Sequence, residues 1–247
     1  NIDLFKKLGS QKTVYANSKD CDIVAIGSLL DVFTRDKQKN RKPVIVYGSG
    51  FIRKNIKNDT FMRPLDVRAV RGYKTLERLK NAPNVRISPD VALGDPGILV
   101  GKLFDVSGIT KKYKLGIIPH YIEQHHSLLS NITVTASVIL DITEIPEVLI
   151  RKIAECECII SSSLHGLIAA DSLSIPNVRM IISDKIVGGD YKFDDYYSVY
   201  GIETHKRIDL NQKNVTDADL KIIKDGYEIQ QDRVQKIQEN LLKKFPF

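Results

Sequence analysis

The stretch from Cys158 to Pro176 limits the fold more than any other part of the chain. It reads Cys-Ile-Ile, three serines, Leu-His-Gly, and then a compact apolar run ended by a proline. The first three residues suit the end of a buried parallel strand. Leu167, Ile168, Ala169, Ala170 and Leu173 suit a buried helix that Pro176 terminates. A strand that turns into a helix through a polar loop leaves backbone N–H groups at the helix start, where an anion can sit. In open α/β sheets that place lies in the ligand crevice beyond the carboxyl ends of the strands. His165 is thereby placed where a substrate is expected. The same serines also suit plain helix capping, and a histidine there suits an ordinary hydrogen-bonded group.

Other segments repeat this grammar. Asp22 to Ser28 and Pro43 to Tyr47 are apolar runs that end in glycine loops, and Leu65 to Gly72 alternates like a strand. Gly48-Ser49-Gly50 lacks the third glycine of a nucleotide fingerprint and reads as a close backbone approach at the sheet edge. Thr75 is expected to cap an amphipathic helix carrying Leu76 and Leu79. Thr13 to Ala16 is a short strand candidate, and Asp95-Pro96-Gly97 is a turn. Val106 to Lys112 makes the boundary between lobes. Beyond it, strands are expected at 113–121, 132–140, 177–182 and 208–210, with a helix opened by Pro146. Thr216 and Asp219 open a long C-terminal helix. The expected architecture is α/β, with two Rossmann-like lobes whose parallel sheets face across a cleft. The lobes span 1–108 and 109–212, and a helix at 213–247 packs back across both.

Composition narrows the function classes. Net charge is +7, yet lysines and arginines are scattered, and the few aromatics do not interleave with basic runs. That argues against a nucleic-acid platform and for anionic small substrates or an anionic membrane surface. The three cysteines have no metal-ligand spacing and read as small buried hydrophobes in a reducing cytoplasm. No metal site and no cofactor are expected. No apolar run reaches membrane-spanning length. The chain does not begin with Met, so its start is read as incomplete.

With these pieces assembled, the chain resembles the polysaccharide pyruvyl transferase family. The most specific part is Cys158 to Ile168, backed by Ser174-Ile175-Pro176-Asn177-Val178. Val67 to Gly72, Leu93 to Gly97 and Gly116 to Tyr121 support it in the same order. The resemblance implies a fold like that of GT-B glycosyltransferases. It also implies transfer of a carboxyethylidene group, a pyruvate ketal, from phosphoenolpyruvate to two hydroxyls of a sugar. Two departures stand out. Members often carry an asparagine–aromatic–Gly-Asp motif, for which only Asn1-Ile2-Asp3 is available. Some have a basic residue before Leu-His, where this chain has Ser163.

Under that resemblance the candidate residues take roles. A site for phosphoenolpyruvate needs cations or N–H groups for both phosphate and carboxylate. Backbone groups around Ser162, Ser163, Leu164 and Gly166 suit the phosphate. Arg71 offers a planar fork, and Lys192 is a second cation. His165 is the first choice for general acid or for neutralising departing phosphate, with His120 as its rival. His125 and His126 are expected to face solvent. Asp95 could position an acceptor hydroxyl, or simply cap its turn. Asp195 and its aromatic neighbours could bind sugar, although an aromatic pair also suits a core. Expected partners are phosphoenolpyruvate and a sugar acceptor, lipid-linked or carried on a nucleotide, with no nucleic acid. The expected location is the cytoplasm, at the inner face of the membrane when the acceptor is lipid-linked. Two rival readings share these features: a GT-B-like glycosyltransferase using a nucleotide sugar, and a non-catalytic sugar- or nucleotide-binding module.

Overall fold

A computed structural model describes residues 2–9, 13–35, 41–54 and 59–246; Asn1 of the N-terminal motif lies outside them. The chain divides into two compact units, each assembled from separated stretches. Unit 1 takes 1–96, 187–204 and 235–247, and unit 2 takes 97–186 and 205–234. The sequence, read in order, suggests contiguous lobes instead, because side-chain periodicity carries no information about which distant stretches meet.

Unit 1 is built on a parallel sheet of β1 (Ile23–Ala25), β2 (Val44–Tyr47), β3 (Leu65–Val70) and β4 (Val85–Leu93), in that spatial order. Val24, Val44, Val46, Leu65, Val67 and Val70 are buried; β1 and β2 are apolar on both faces, as parallel strands commonly are, whereas β3 leaves Asp66 and Arg68 half-buried on its other face. Around the sheet lie α1 (Ile2–Lys7), α2 (Leu30–Phe33) and α3 (Tyr73–Lys80). Gly9, at φ +100, ends the first of these helices. Most of β4 escapes the sequence reading. It is an edge strand whose Ser88-Pro89-Asp90 section bulges away from β3, so it shows no clean alternation. Thr13 to Ala16 is not a strand; Val14 and Tyr15 are exposed.

Three further departures have local causes. The helix α3 starts at Tyr73, with Gly72 as its N-cap, so Thr75 lies inside the first turn rather than before it. The extended run expected over 132–140 is broken by Ala136 at φ +54, and only Ser137–Ile139 (β6) forms a strand. The expected long C-terminal helix is two helices, with Gly226 ending the first. Its opening is as expected, since Thr216 and Asp219 form a reciprocal capping box.

Unit 2 contains α4 (Val100–Leu103), β5 (Leu115–Ile118), β6, α5 (Pro146–Ala154), β7 (Ile159–Ser161), α6 (Leu164–Ser172) and β8 (Asn177–Ile181). Unit 1 then contributes α7 (Tyr191–Ser198), after which unit 2 resumes with β9 (Arg207–Asp209) and α8 (Asp217–Asp225). The last helix, α9 (Gln231–Lys243), belongs to unit 2 through Val234 and to unit 1 from Gln235. All five strands of unit 2 are parallel, in the order β6-β5-β7-β8-β9. One core, with Ile117, Ile160, Val178 and Met180, is closed by Leu220 and Ile223 of α8. Another, with Ile118 and Ile159, is closed by Leu149, Ile150 and Ile153 of α5. Pro146 opens α5 at its first turn, where a missing N–H costs nothing.

In unit 1 the residues from Gln235 onward complete the sheet's packing. Tyr47 donates its hydroxyl to the Leu241 carbonyl (2.8 Å), and Phe5, Tyr47 and Phe245 form an aromatic triplet with ring centroids 5.5–6.0 Å apart. No helix among the described residues is long and apolar enough to cross a membrane.

Candidate functional site

Strand order places the crevice of unit 2. The chain leaves β5 toward β6 on one side, and later leaves β7 toward β8 on the other. The loops after β5 and β7 therefore diverge at the carboxyl end of the sheet, which is the switch point where ligands of open α/β sheets bind. His120 follows β5, and the Ser162-Ser163-Leu164-His165 turn follows β7.

The turn is held by hydrogen bonds that run inward. The Ser161 hydroxyl lies 2.8 Å from the Ile118 carbonyl and 2.9 Å from the Ser163 carbonyl, and it accepts the Ser163 N–H at 3.0 Å. Ser162 accepts the His120 N–H at 2.8 Å and donates its own proton to Glu123 at 2.6 Å. The Ser163 hydroxyl makes no capping bond to α6. Gly166 is required by space, because a Cβ there would sit 2.5 Å from the Ser161 hydroxyl.

The helix α6 is buried on every side but one. Of Leu164–Ser172, only His165 is exposed. A helix this apolar is a core helix, and the apolar sequence that buries it also fixes the position of that imidazole. The first turn directs its backbone N–H groups and the positive end of its dipole toward the crevice. His120 is half-buried, its ring 4.5 Å from that of Tyr121, and its Nδ1 accepts the Ile122 N–H at 3.5 Å. Tyr121 is 63 % exposed. His125 is exposed, whereas His126 is half-buried and accepts the Leu128 N–H.

Glu123 stands out as the residue the sequence does not announce. It is 1 % exposed, and its two carboxylate oxygens accept protons from Ser162 (2.6 Å) and from Ser183 (2.5 Å). Within Tyr-Ile-Glu-Gln-His-His it looks like a solvent-facing loop residue, and no local pattern marks it as buried.

The remaining candidates lie in unit 1, with their polar groups turned inward. Arg71 is fully buried. Its Nε donates to Asp195 (2.9 Å), one terminal nitrogen to the Ser28 hydroxyl (2.6 Å), and the other to the Phe51 carbonyl (2.5 Å). Asp195 is equally buried and also accepts the Thr75 N–H and hydroxyl at 2.8 and 2.7 Å. It thus caps α3 from a distant stretch of chain, which is why that helix starts without a side-chain cap of its own. Asp95, fully buried, accepts the Gly27 N–H at 3.4 Å beside Ile26, a β-branched residue held at φ +50. Lys192 is buried on α7, its ammonium 5.3 Å from the Phe193 ring. The close approach expected at Gly48-Ser49-Gly50 is to the chain itself. A Cβ on Gly48 would meet Pro96 at 2.1 Å, and one on Gly50 the Arg71 guanidinium at 2.5 Å. The structure therefore groups His120, Ser162, Ser163, Leu164, His165 and Gly166 in unit 2, and Arg71 with Asp195 in unit 1.

Two of the three thiols, Cys156 and Cys158, are buried. Burial pushes Cys156 up to about 12 and Cys158 up to about 11, so both remain protonated and apolar in character.

Comparison with known proteins places the chain in a family. Residues 1–184 match the family described as polysaccharide pyruvyl transferase. An uncharacterized protein, L143, of Acanthamoeba polyphaga mimivirus is 30% identical over 209 residues, covering 81% of this chain and 71% of its own. The succinoglycan biosynthesis protein ExoV of Rhizobium meliloti (strain 1021) is 27% identical over 186 residues, 75% of this chain. The match spans 55% of ExoV, little more than half its length. No solved structure matches.

Proposed function

The chain belongs to the polysaccharide pyruvyl transferase family, and on that premise we propose that it moves a carboxyethylidene group from phosphoenolpyruvate to two hydroxyls of a sugar, releasing phosphate. The acceptor is a sugar of a cell-surface polysaccharide or of its lipid-linked precursor. The observation that carries this reading is the single exposed residue of α6, His165, at the start of an otherwise buried helix on the sheet's switch point.

The reading rests on unit 2. Phosphate sits against the first-turn N–H groups of α6, where the helix dipole favours an anion. Lys185, exposed on the loop after β8, supplies the cation for the donor carboxylate, in place of the basic residue that some members carry before Leu-His. His165 protonates the methylene carbon of the enol, which becomes the methyl group of the ketal. The adjacent carbon gains oxocarbenium character, and a sugar hydroxyl attacks it and loses its proton. The C–O bond to phosphate breaks, the second hydroxyl closes the ring, and its proton leaves with the departing phosphate. His120, beside the same turn, is the base that takes the first hydroxyl proton. Tyr121 offers an exposed ring face on which a sugar can stack.

The test is phosphate release from phosphoenolpyruvate with acceptors containing galactose, glucose or N-acetylmannosamine. Acceptor-dependent release is the expected result. No release with any acceptor, together with thermal stabilisation by a nucleotide sugar and none by phosphoenolpyruvate, would replace pyruvyl transfer by glycosyl transfer.

A further inference from the structure

We infer that Glu123 is a positioning residue. One buried carboxylate ties together the loops that follow three neighbouring parallel strands, and so sets the phosphate-facing turn. Glu123 itself lies in the loop after β5. Through Ser162 it holds the turn after β7, and through Ser183 the loop after β8. At 1 % exposure it is sealed from water, and hydroxyl donors to a carboxylate are stronger than bonds between neutral groups.

The direction of the protons gives this arrangement its consequence for the donor. Ser162 accepts the His120 N–H and gives its only proton to Glu123, so that hydroxyl has no proton left to offer phosphate. Ser161 likewise spends its proton on a backbone carbonyl. What faces the anion is the backbone of the α6 first turn. Its position relative to His120 is set by the Ser162 oxygen, which is shared between His120 and Glu123. Ser183 does the same for the loop bearing Lys185, since it also accepts the Lys185 N–H at 3.3 Å.

This inference rests on the pyruvyl transfer reading, and the experiment separates the two. Ser162→Ala removes the shared oxygen. Glu123→Gln keeps the volume but leaves one acceptor oxygen where two were used. Ser183→Ala cuts only the third arm. With folding verified by thermal denaturation, the donor KM is expected to rise about tenfold in Ser162→Ala, somewhat less in Glu123→Gln, and about two- to threefold in Ser183→Ala. The acceptor KM is expected to rise less than the donor KM throughout, because the loop of His120 and Tyr121 keeps its own turn. Calorimetric binding of phosphoenolpyruvate and of inorganic phosphate should weaken in the same order. Glu123→Gln with wild-type donor KM and phosphate affinity would overturn the positioning role, as would an equal rise in donor and acceptor KM. A wild-type chain that binds phosphoenolpyruvate but releases no phosphate, while Glu123→Gln binds it more weakly, would overturn pyruvyl transfer and keep the positioning role. A wild-type chain that binds neither anion would overturn both.

Discussion

The two sheets use the same grammar of apolar strand and polar loop, yet they dispose of their loop residues in opposite ways. In unit 1 the strands run β1-β2-β3-β4 in chain order, so successive loops leave in one direction and these strands form no switch point. Its polar residues turn inward: Arg71, Asp195 and Asp95 are fully buried and are held by one another, by the Ser28 and Thr75 hydroxyls or by the backbone. In unit 2 the order reverses between β5 and β7, the loops part, and His165 is left exposed. Polar groups are thus packed away in one unit, while in the other, one of them is left accessible. Topology, more than residue type, decides which.

The contrast can be broken first in unit 1. Asp195→Asn removes the charge partner of a fully buried arginine, and breaking such a pair costs about 3–5 kcal/mol. Chemical denaturation should show that loss; an Asp195→Asn chain of wild-type stability would mean that the pair is not a structural element. In unit 2 the opposite balance is expected of His165→Ala, with turnover lower by about two to four powers of ten and a smaller loss of stability than in Asp195→Asn, because the residue is exposed rather than buried. Normal turnover would remove His165 from the chemistry. Lys185→Ala should raise the donor KM about tenfold, the size of one charge-assisted hydrogen bond, with acceptor KM unaltered; equal donor KM values would place the carboxylate elsewhere.

A smaller effect sharpens the comparison through pH. Burial raises Cys156 and Cys158 above the ordinary 9.0 of a thiol, to about 12 and about 11. The folded state therefore holds these protons more tightly than the unfolded one. Their contribution to stability is fully present below about pH 9 and declines as pH rises toward 11. Cys158→Ala should flatten that decline in denaturation series run from pH 8 to 11, and an unchanged slope would show that this thiol contributes nothing to it.

The βα alternation was legible because it is local. The three-serine turn, α6, and α5 with its Pro146 start follow from period, apolar runs and caps read within a dozen residues, although α6 ends at Ser172 and turns at Ser174 (φ +58), ahead of the expected Pro176 stop. What the chain concealed is what distant residues do together. Arg71 and Asp195 are separated by 124 positions, and nothing near either signals that one neutralises the other. Glu123 has the composition of a surface loop around it, and only the arrival of Ser162 and Ser183 makes its burial tolerable. The break at Gly226 was visible in principle, since glycine ends helices, but the apolar stripe on either side of it ran on in phase.

The packing of residues 235–245 into unit 1 carries a further consequence for the order in which the chain can mature. Tyr47 and Phe5 find the Leu241 carbonyl and the Phe245 ring only after every strand of the other sheet has been made. During synthesis the segments of unit 2 are all available before unit 1 has its last piece, so the later half of the chain is the one free to fold first. A ribosome-bound intermediate ending before Gln235 would expose the aromatic face of the early sheet, and that is the species on which a chaperone would act.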